Sequence, residues 1–174
     1  MSVHIIIDGY NLIRQSPTLS RLDRQDIEAG RETLVTHLAA YRKVKRHPVT
    51  VVFDGVNAPA FSRDRDRVRG IEVRYSRRGE LADTVIKRMA AREREKALVV
   101  SSDGEVVVFA AARGCATISS REFEEKMNMA AYMDLKGAEE TEDTGRGRET
   151  TRKKGPRRRL PKKERRNRKR IAKL

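Results

Sequence analysis

Asp8, Asp54, Asp83 and Asp103 stand where carboxylates can do chemistry together. Three of them follow apolar runs, two directly and Asp103 after two serines: His4-Ile5-Ile6-Ile7-Asp8-Gly9-Tyr10-Asn11, Val49-Thr50-Val51-Val52-Phe53-Asp54-Gly55 and Ala97-Leu98-Val99-Val100-Ser101-Ser102-Asp103-Gly104. The remaining one closes Glu80-Leu81-Ala82-Asp83, where a helical pattern starts. Carboxylates crowded on one edge repel, so they persist together only if a proton or a cation neutralises them. Hard divalent ions such as Mg²⁺ or Mn²⁺ prefer such oxygen ligands. The chemistry this spacing allows is a metal held over a phosphate.

Those residues meet only if the elements carrying them share one sheet. Continuous Val/Ile/Leu runs of this length are the pattern of parallel strands buried on both faces, whose carboxyl ends line the ligand crevice of open α/β sheets. Strands are expected at Val3–Ile7, Val49–Phe53, Ile71–Tyr75, Ala97–Val100 and Ala116–Ile118. Helices are expected over Gln25–Arg46, where Ile27, Leu34, Leu38 and Tyr41 form a 3.6-residue stripe, and over Glu80–Glu95, Glu105–Arg113 and Ser120–Met133, with Ser120 as N-cap. The alternation predicts a mostly parallel sheet with helices on both faces. Within it Glu80 and Asp83, three apart, would share a helix face and project beside Asp8.

Each acid also has a plainer reading. Asp-Gly is a turn dipeptide, and Asp83 sits where the helix dipole favours any acid. Turn chemistry, however, does not require the same acid at three strand ends. Ser101 and Ser102 can donate to a carboxylate or phosphate there. The segment Arg63-Asp64-Arg65-Asp66-Arg67-Val68-Arg69, followed by Arg74, Arg77 and Arg78, reads as a loop and short strand beside the crevice. It is either a solvated, partly self-neutralised face or a clamp for phosphates, which planar guanidinium forks suit.

Charge divides the 174 residues unevenly. The net charge is +15, and from residue 145 onward 16 Lys and Arg face only 2 acids, so the body is near neutral and the end is cationic. That asymmetry points to nucleic acid first and an anionic membrane surface second. Residues 1–136 read as one domain, 137–144 as an acidic hinge and 145–174 as a disordered basic tail that binds RNA through Arg157, Arg158, Arg159, Lys162, Lys163, Arg165 and Arg166, with a short helix forming near Lys162–Leu174 on RNA. A single cysteine, Cys115, and three scattered histidines exclude an intramolecular disulfide and a zinc-ligand spacing. No leader or long apolar run is visible, so a cytoplasmic chain without a membrane partner is expected.

In these motifs, over Val3 to Ala131, the chain resembles the YacP-type NYN domain family, a branch of the PIN-like ribonuclease superfamily. The resemblance implies a PIN-like three-layer α/β/α fold and metal-dependent endoribonuclease chemistry, with Asp8, Asp83 and Asp103 as ligands of Mg²⁺ or Mn²⁺. Asn11 is implied as their companion. In that reading Asn11 and Glu80 orient ligands or water, Asp54 supports the site, Arg63, Arg65, Arg67, Arg69, Arg77 and Arg78 hold RNA, and water attacks in line to leave a 5′-phosphate and a 3′-hydroxyl. A rival reading is a non-catalytic RNA- or ribosome-binding factor on the same fold. A nucleotide-binding regulator is disfavoured, because no GxxxxGK[ST] or GxGxxG loop is present to cradle phosphates.

Overall fold

The computed structural model describes residues 2–59, 64–139 and 161–174. Six strands form one sheet: β1 (His4–Asp8), β2 (Val49–Phe53), β3 (Arg65–Val68), β4 (Ile71–Tyr75), β5 (Ala97–Val100) and β6 (Ala116–Ile118), in the order β3-β4-β2-β1-β5-β6. All neighbours pair parallel except β3, which is antiparallel to β4. The apolar runs become strands because both faces are covered, which is why β2 and β5 are buried at every residue.

Helices α1 (Gly9–Gln15), α2 (Pro17–Gln25), α3 (Ile27–Lys45), α4 (Ala82–Glu93), α5 (Gly104–Ala112) and α6 (Ser120–Glu139) complete the body. Strand alternation sorts the core into two layers. Ile5, Ile7, Val51, Phe53 and Val100 meet Leu34, Leu38, Tyr41 and Phe123 of α3 and α6, while Ile6, Val52 and Val99 meet Val85, Ile86, Met89 and Val106 of α4 and α5. This is the three-layer α/β/α arrangement expected. From β1 the chain steps outward to β2 and β4, then returns through α4 to β5 on the other side of β1. The reversal makes the carboxyl end of β1 the switch point where such sheets bind ligands.

Several boundaries differ from the sequence reading. Two helices precede α3: Asp8 caps α1, and Ser16, followed by Pro17, caps α2 through Leu19 N–H. Helix α4 begins at Ala82, so Glu80 precedes it and shares no helix face with Asp83. Ser119, not Ser120, caps α6: its hydroxyl accepts from Glu122 N–H at 3.2 Å, which frees the Ser120 side chain.

Residues 161–174, read from composition as part of a disordered tail, contain the short helix expected near Lys162–Leu174, here packed on the body. Helix α7 (Lys162–Ile171) docks on the β6 edge, where the Asn167 amide accepts from Thr117 N–H at 3.0 Å and donates to Thr117 C=O at 3.4 Å. A side-chain amide thus stands in for a seventh strand and closes the open edge. Arg166 pairs with Glu95 at 2.7 Å, and Leu174 is buried beside Tyr41, whose hydroxyl donates to the Leu174 carbonyl. Complementarity to the body replaces the apolar content this segment lacks. Among the described residues no helix is long and apolar enough to cross a membrane.

Candidate active site

Asp8 ends the central strand and starts α1, so one side chain serves two purposes. One carboxylate oxygen accepts from Asn11 N–H at 3.2 Å as a helix cap, and the other accepts from the Ser101 hydroxyl at 3.2 Å. Ser101, fully buried at the end of β5, in turn accepts from Asp103 N–H at 3.1 Å, tying the two strand-end acids through one hydroxyl. Asp103 caps α5, accepting from Glu105 N–H at 2.8 Å and Val106 N–H at 3.3 Å through the same oxygen. The Asn11 carbonyl oxygen accepts from Ser102 N–H at 2.8 Å and from the Ser120 hydroxyl at 2.7 Å. Asn11 therefore braces α1 against the β5–α5 turn and the start of α6.

Asp54 holds the other half of the site. Helix α4 has Leu81 at its cap position, which offers no acceptor, and Asp54 supplies one from 28 residues away by accepting from Ala82 N–H at 2.7 Å. Asp83 is thereby fixed one residue beyond that contact. Gly55 permits this approach: a Cβ there would stand 1.9 Å from the Ser76 carbonyl oxygen. Gly9 makes similar room, since its Cβ would meet the Phe53 ring at 2.3 Å.

Electrostatics reports the convergence. Burial, followed by the charges of Asp83 and Asp54, outweighs the hydrogen bonds from Asn11 and Ser101 and pushes the Asp8 carboxyl up to about 6. The Asp83 carboxyl is also raised, by burial first and then by Asp103 and Asp54, with Lys87 opposing. Lys87 lies one turn beyond Asp83, bonds Glu105 at 2.9 Å, and has its own pKa raised by that bond first and by Asp83 and Asp103 further. Sequence reasoning passed over Lys87, although an Asp and a Lys four apart share a helix face. No group of three or more His, Cys, Asp or Glu among the described residues is gathered closely enough to hold an ion. Asp8 is repelled by Asp83 and Asp54, and Asp83 by Asp103 and Asp54, and that repulsion is what a cation would reverse.

Other expected site residues are placed elsewhere. Glu80 is turned to Arg88, whose hydrogen bond holds its carboxyl below the ordinary value, and receives a long contact from Arg77 N–H at 3.4 Å. The described part of the arginine segment is set apart from Asp8. Arg65 and Arg67 lie on β3, exposed, with β4 and β2 between them and β1. Arg65 pairs with Glu72, and Arg69 donates to Thr36. A charged outer strand of this kind protects the sheet edge. Arg77 and Arg78 lie exposed in the turn leading to α4, the former 3.5 Å from Asp64. On α7, Lys162, Lys163 and Arg165 are exposed, while Arg166 is engaged with Glu95. Arg63, Arg157, Arg158 and Arg159 lie outside the described residues.

An open α/β sheet with acids gathered at its switch point is the architecture of the PIN-like nuclease superfamily. The chain belongs to the YacP-like NYN domain family, whose model matches residues 5–173. It is 30% identical over 86 residues to the uncharacterized protein YacP of Bacillus subtilis strain 168, an alignment covering 49% of this chain and 50% of that relative. The crystal structure of Rae1 (YacP) from Bacillus subtilis superposes with a TM-score of 0.67 at 25% identity, covering 80% of each chain. A mutant of that protein with leucine in place of one tryptophan gives 0.66 at 23% identity, over 82% of this chain and 85% of the other. The family match extends through α7, in keeping with a docked C-terminal helix.

Proposed function

We propose that this chain is a Mg²⁺- or Mn²⁺-dependent endoribonuclease whose centre is built from Asp8, Asp83 and Asp103. The observation that carries the reading is the raised Asp8 carboxyl, buried at the switch point and repelled by Asp83 and Asp54. A divalent ion suits this donor set: all the groups are hard oxygens, and Asp83 accepts no hydrogen bond among the described residues. When bound, such an ion supplies Lewis acidity toward a phosphate oxygen and toward water.

The chain's own residues contribute positioning and charge. Ser101 and Asn11 fix Asp8 and the β5–α5 turn, so both acids are preorganised before substrate arrives. Asp54 positions Asp83 through the start of α4. Lys87 offers a cation at the rim against the charge that develops on the phosphate. The exposed Lys162, Lys163 and Arg165 extend the electrostatic footprint of RNA beyond the site.

Incubating the full chain with an end-labelled RNA pool in Mg²⁺, Mn²⁺ or EDTA, and mapping product ends, tests the reading. Metal-dependent cuts with 5′-phosphate ends are expected. Binding without cuts in any metal would overturn the catalytic reading and establish the rival, an RNA- or ribosome-binding factor. That rival is favoured by one feature, the lack of a closed acidic cage among the described residues.

A further inference from the structure

We propose that the cavity between α3 and the β2–β4–β3 edge is a nucleobase pocket selective for guanine, seating one base of the strand beside the acidic cluster. The proposal rests on the RNA reading of that cluster. The cavity holds about 530 Å³ and is lined by Phe53, Val73 and Tyr75, of which Phe53 is fully buried, so Tyr75 offers the aromatic surface. The Phe53 and Tyr75 rings stack at 6.0 Å with 29° between planes. Tyr10 packs edge-on to Phe53 at 5.1 Å.

Arg31 lines this space although it is only 5% exposed. One of its terminal nitrogens donates to the Tyr10 hydroxyl at 3.1 Å and to the Asn57 carbonyl, and its guanidinium lies 6.0 Å from the Tyr75 ring centre. Among the described residues no carboxylate pairs with it, and its other two nitrogens make no hydrogen bond. Those two nitrogens are open to the cavity, not sealed off, since among the described residues only Asp23 Oδ1 is a buried side-chain polar atom without a hydrogen-bond partner. They stand as free donors for a ligand with acceptor atoms.

The remaining charges decide which ligand. Glu28 and Glu32, on the same helix as Arg31, and Asp66 of β3 line the cavity together with Arg31 and Arg69, leaving the lining acidic on balance and unsuited to a phosphate. The Tyr75 hydroxyl senses the same groups: burial raises its pKa first, Arg31 opposes, and Tyr10, Glu28 and Asp66 add to the rise. An aromatic surface, a guanidinium inside and carboxylates at the rim match a planar base carrying acceptors on one edge and donors on another. Guanine presents O6 and N7 as acceptors, the pair arginine reads best, and its amino group as a donor for a carboxylate. Position agrees: Arg31 bonds Tyr10, two residues past Asp8, and Phe53 directly precedes Asp54.

Nuclear magnetic resonance of the full chain in EDTA, titrated with the four nucleoside monophosphates, tests the pocket without requiring catalysis. Guanosine monophosphate is expected to shift the Arg31 Nε–H and Tyr75 ring signals, with the other three binding about tenfold more weakly. Arg31→Lys keeps the charge but loses the fork, and should abolish the preference. Should that variant not fold, Glu32→Gln at the exposed rim keeps the test, with guanosine binding weakened by about tenfold. Equal shifts from all four nucleotides, no shift, or the same shifts from inorganic phosphate would overturn the proposal. RNA cleavage without guanosine binding would refute the pocket and spare the nuclease reading, whereas guanosine binding without cleavage would do the reverse.

Discussion

Replacing Asp8 by asparagine should stabilise the protein while disarming it. The folded state holds the Asp8 proton to about 6, whereas the unfolded chain releases it near 3.8. Between those values unfolding sheds a proton, so the contribution of this residue to stability is intact below about pH 4 and lost by about pH 7. A rise of roughly two units corresponds to about 3 kcal/mol. Asparagine mimics the protonated form and can still cap α1. Its amide would donate to the Ser101 hydroxyl, which has lone pairs for both it and Asp103 N–H, but the Ser101 proton then loses its acceptor, at about 1 kcal/mol. The expected net effect is a gain of about 2 kcal/mol at pH 7.5, or roughly 4–8 °C in melting temperature, and a loss of about 1 kcal/mol at pH 4, where only the lost Ser101 contact counts. Urea unfolding of both proteins in EDTA at the two pH values measures it. A gain equal at both pH values, or a loss at pH 7.5, would show that Asp8 is not a carboxylate held against its charge.

The remaining expectations address the ion, the scaffold and the docked helix. Asp83→Asn and Asp103→Asn should each lower metal-dependent RNA cleavage at least about a hundredfold, from the loss of one charged group at the centre, with circular dichroism unchanged; near-normal cleavage in either would remove that residue from the centre. Millimolar Mn²⁺ should raise the melting temperature of the native chain, by about 2.7 kcal/mol of stability at a hundredfold excess over its dissociation constant, and hardly move the Asp8→Asn/Asp83→Asn double variant. Gly55→Ala should cost about 3 kcal/mol, because the added methyl meets a backbone oxygen and not a yielding side chain, and denaturant melts would detect it. Changing Lys162, Lys163 and Arg165 together to glutamine should flatten the slope of log affinity for single-stranded RNA against log salt by about 2 units without altering the melting temperature. An unchanged slope would mean that α7 does not touch RNA.

What the sequence made legible follows from how locally each feature is encoded. The runs ending at Ile7, Phe53 and Val100 announced buried parallel strands, because burial on both faces removes every polar alternation. Their shared acids then located the switch point. Helices α1 and α2 were missed, α1 because seven residues span barely two turns, α2 although Leu19 and Leu22 share a face and Ser16-Pro17 is a start signal. Asp54 reads in the sequence as one more strand-end acid supporting the site, and the form of that support is the cap of a helix 28 residues away, a role with no local signature. The basic end misled in the opposite direction. Composition correctly says that residues 161–174 cannot build a core of their own, but Ile171 and Leu174 need only complete one that exists. Asn167 finds its partner on β6, 50 residues earlier. Arg31 shows the same limit within a helix: it occupies the apolar stripe between Ile27 and Leu34, where a pattern reader sees an interruption. A charge on the buried face of an amphipathic helix has to be answered by something, and here the described chain answers with a tyrosine hydroxyl, a carbonyl and the Tyr75 ring, and with no paired carboxylate. An exception of that kind directs attention to function more sharply than the regular pattern around it, because packing alone would have put a leucine there.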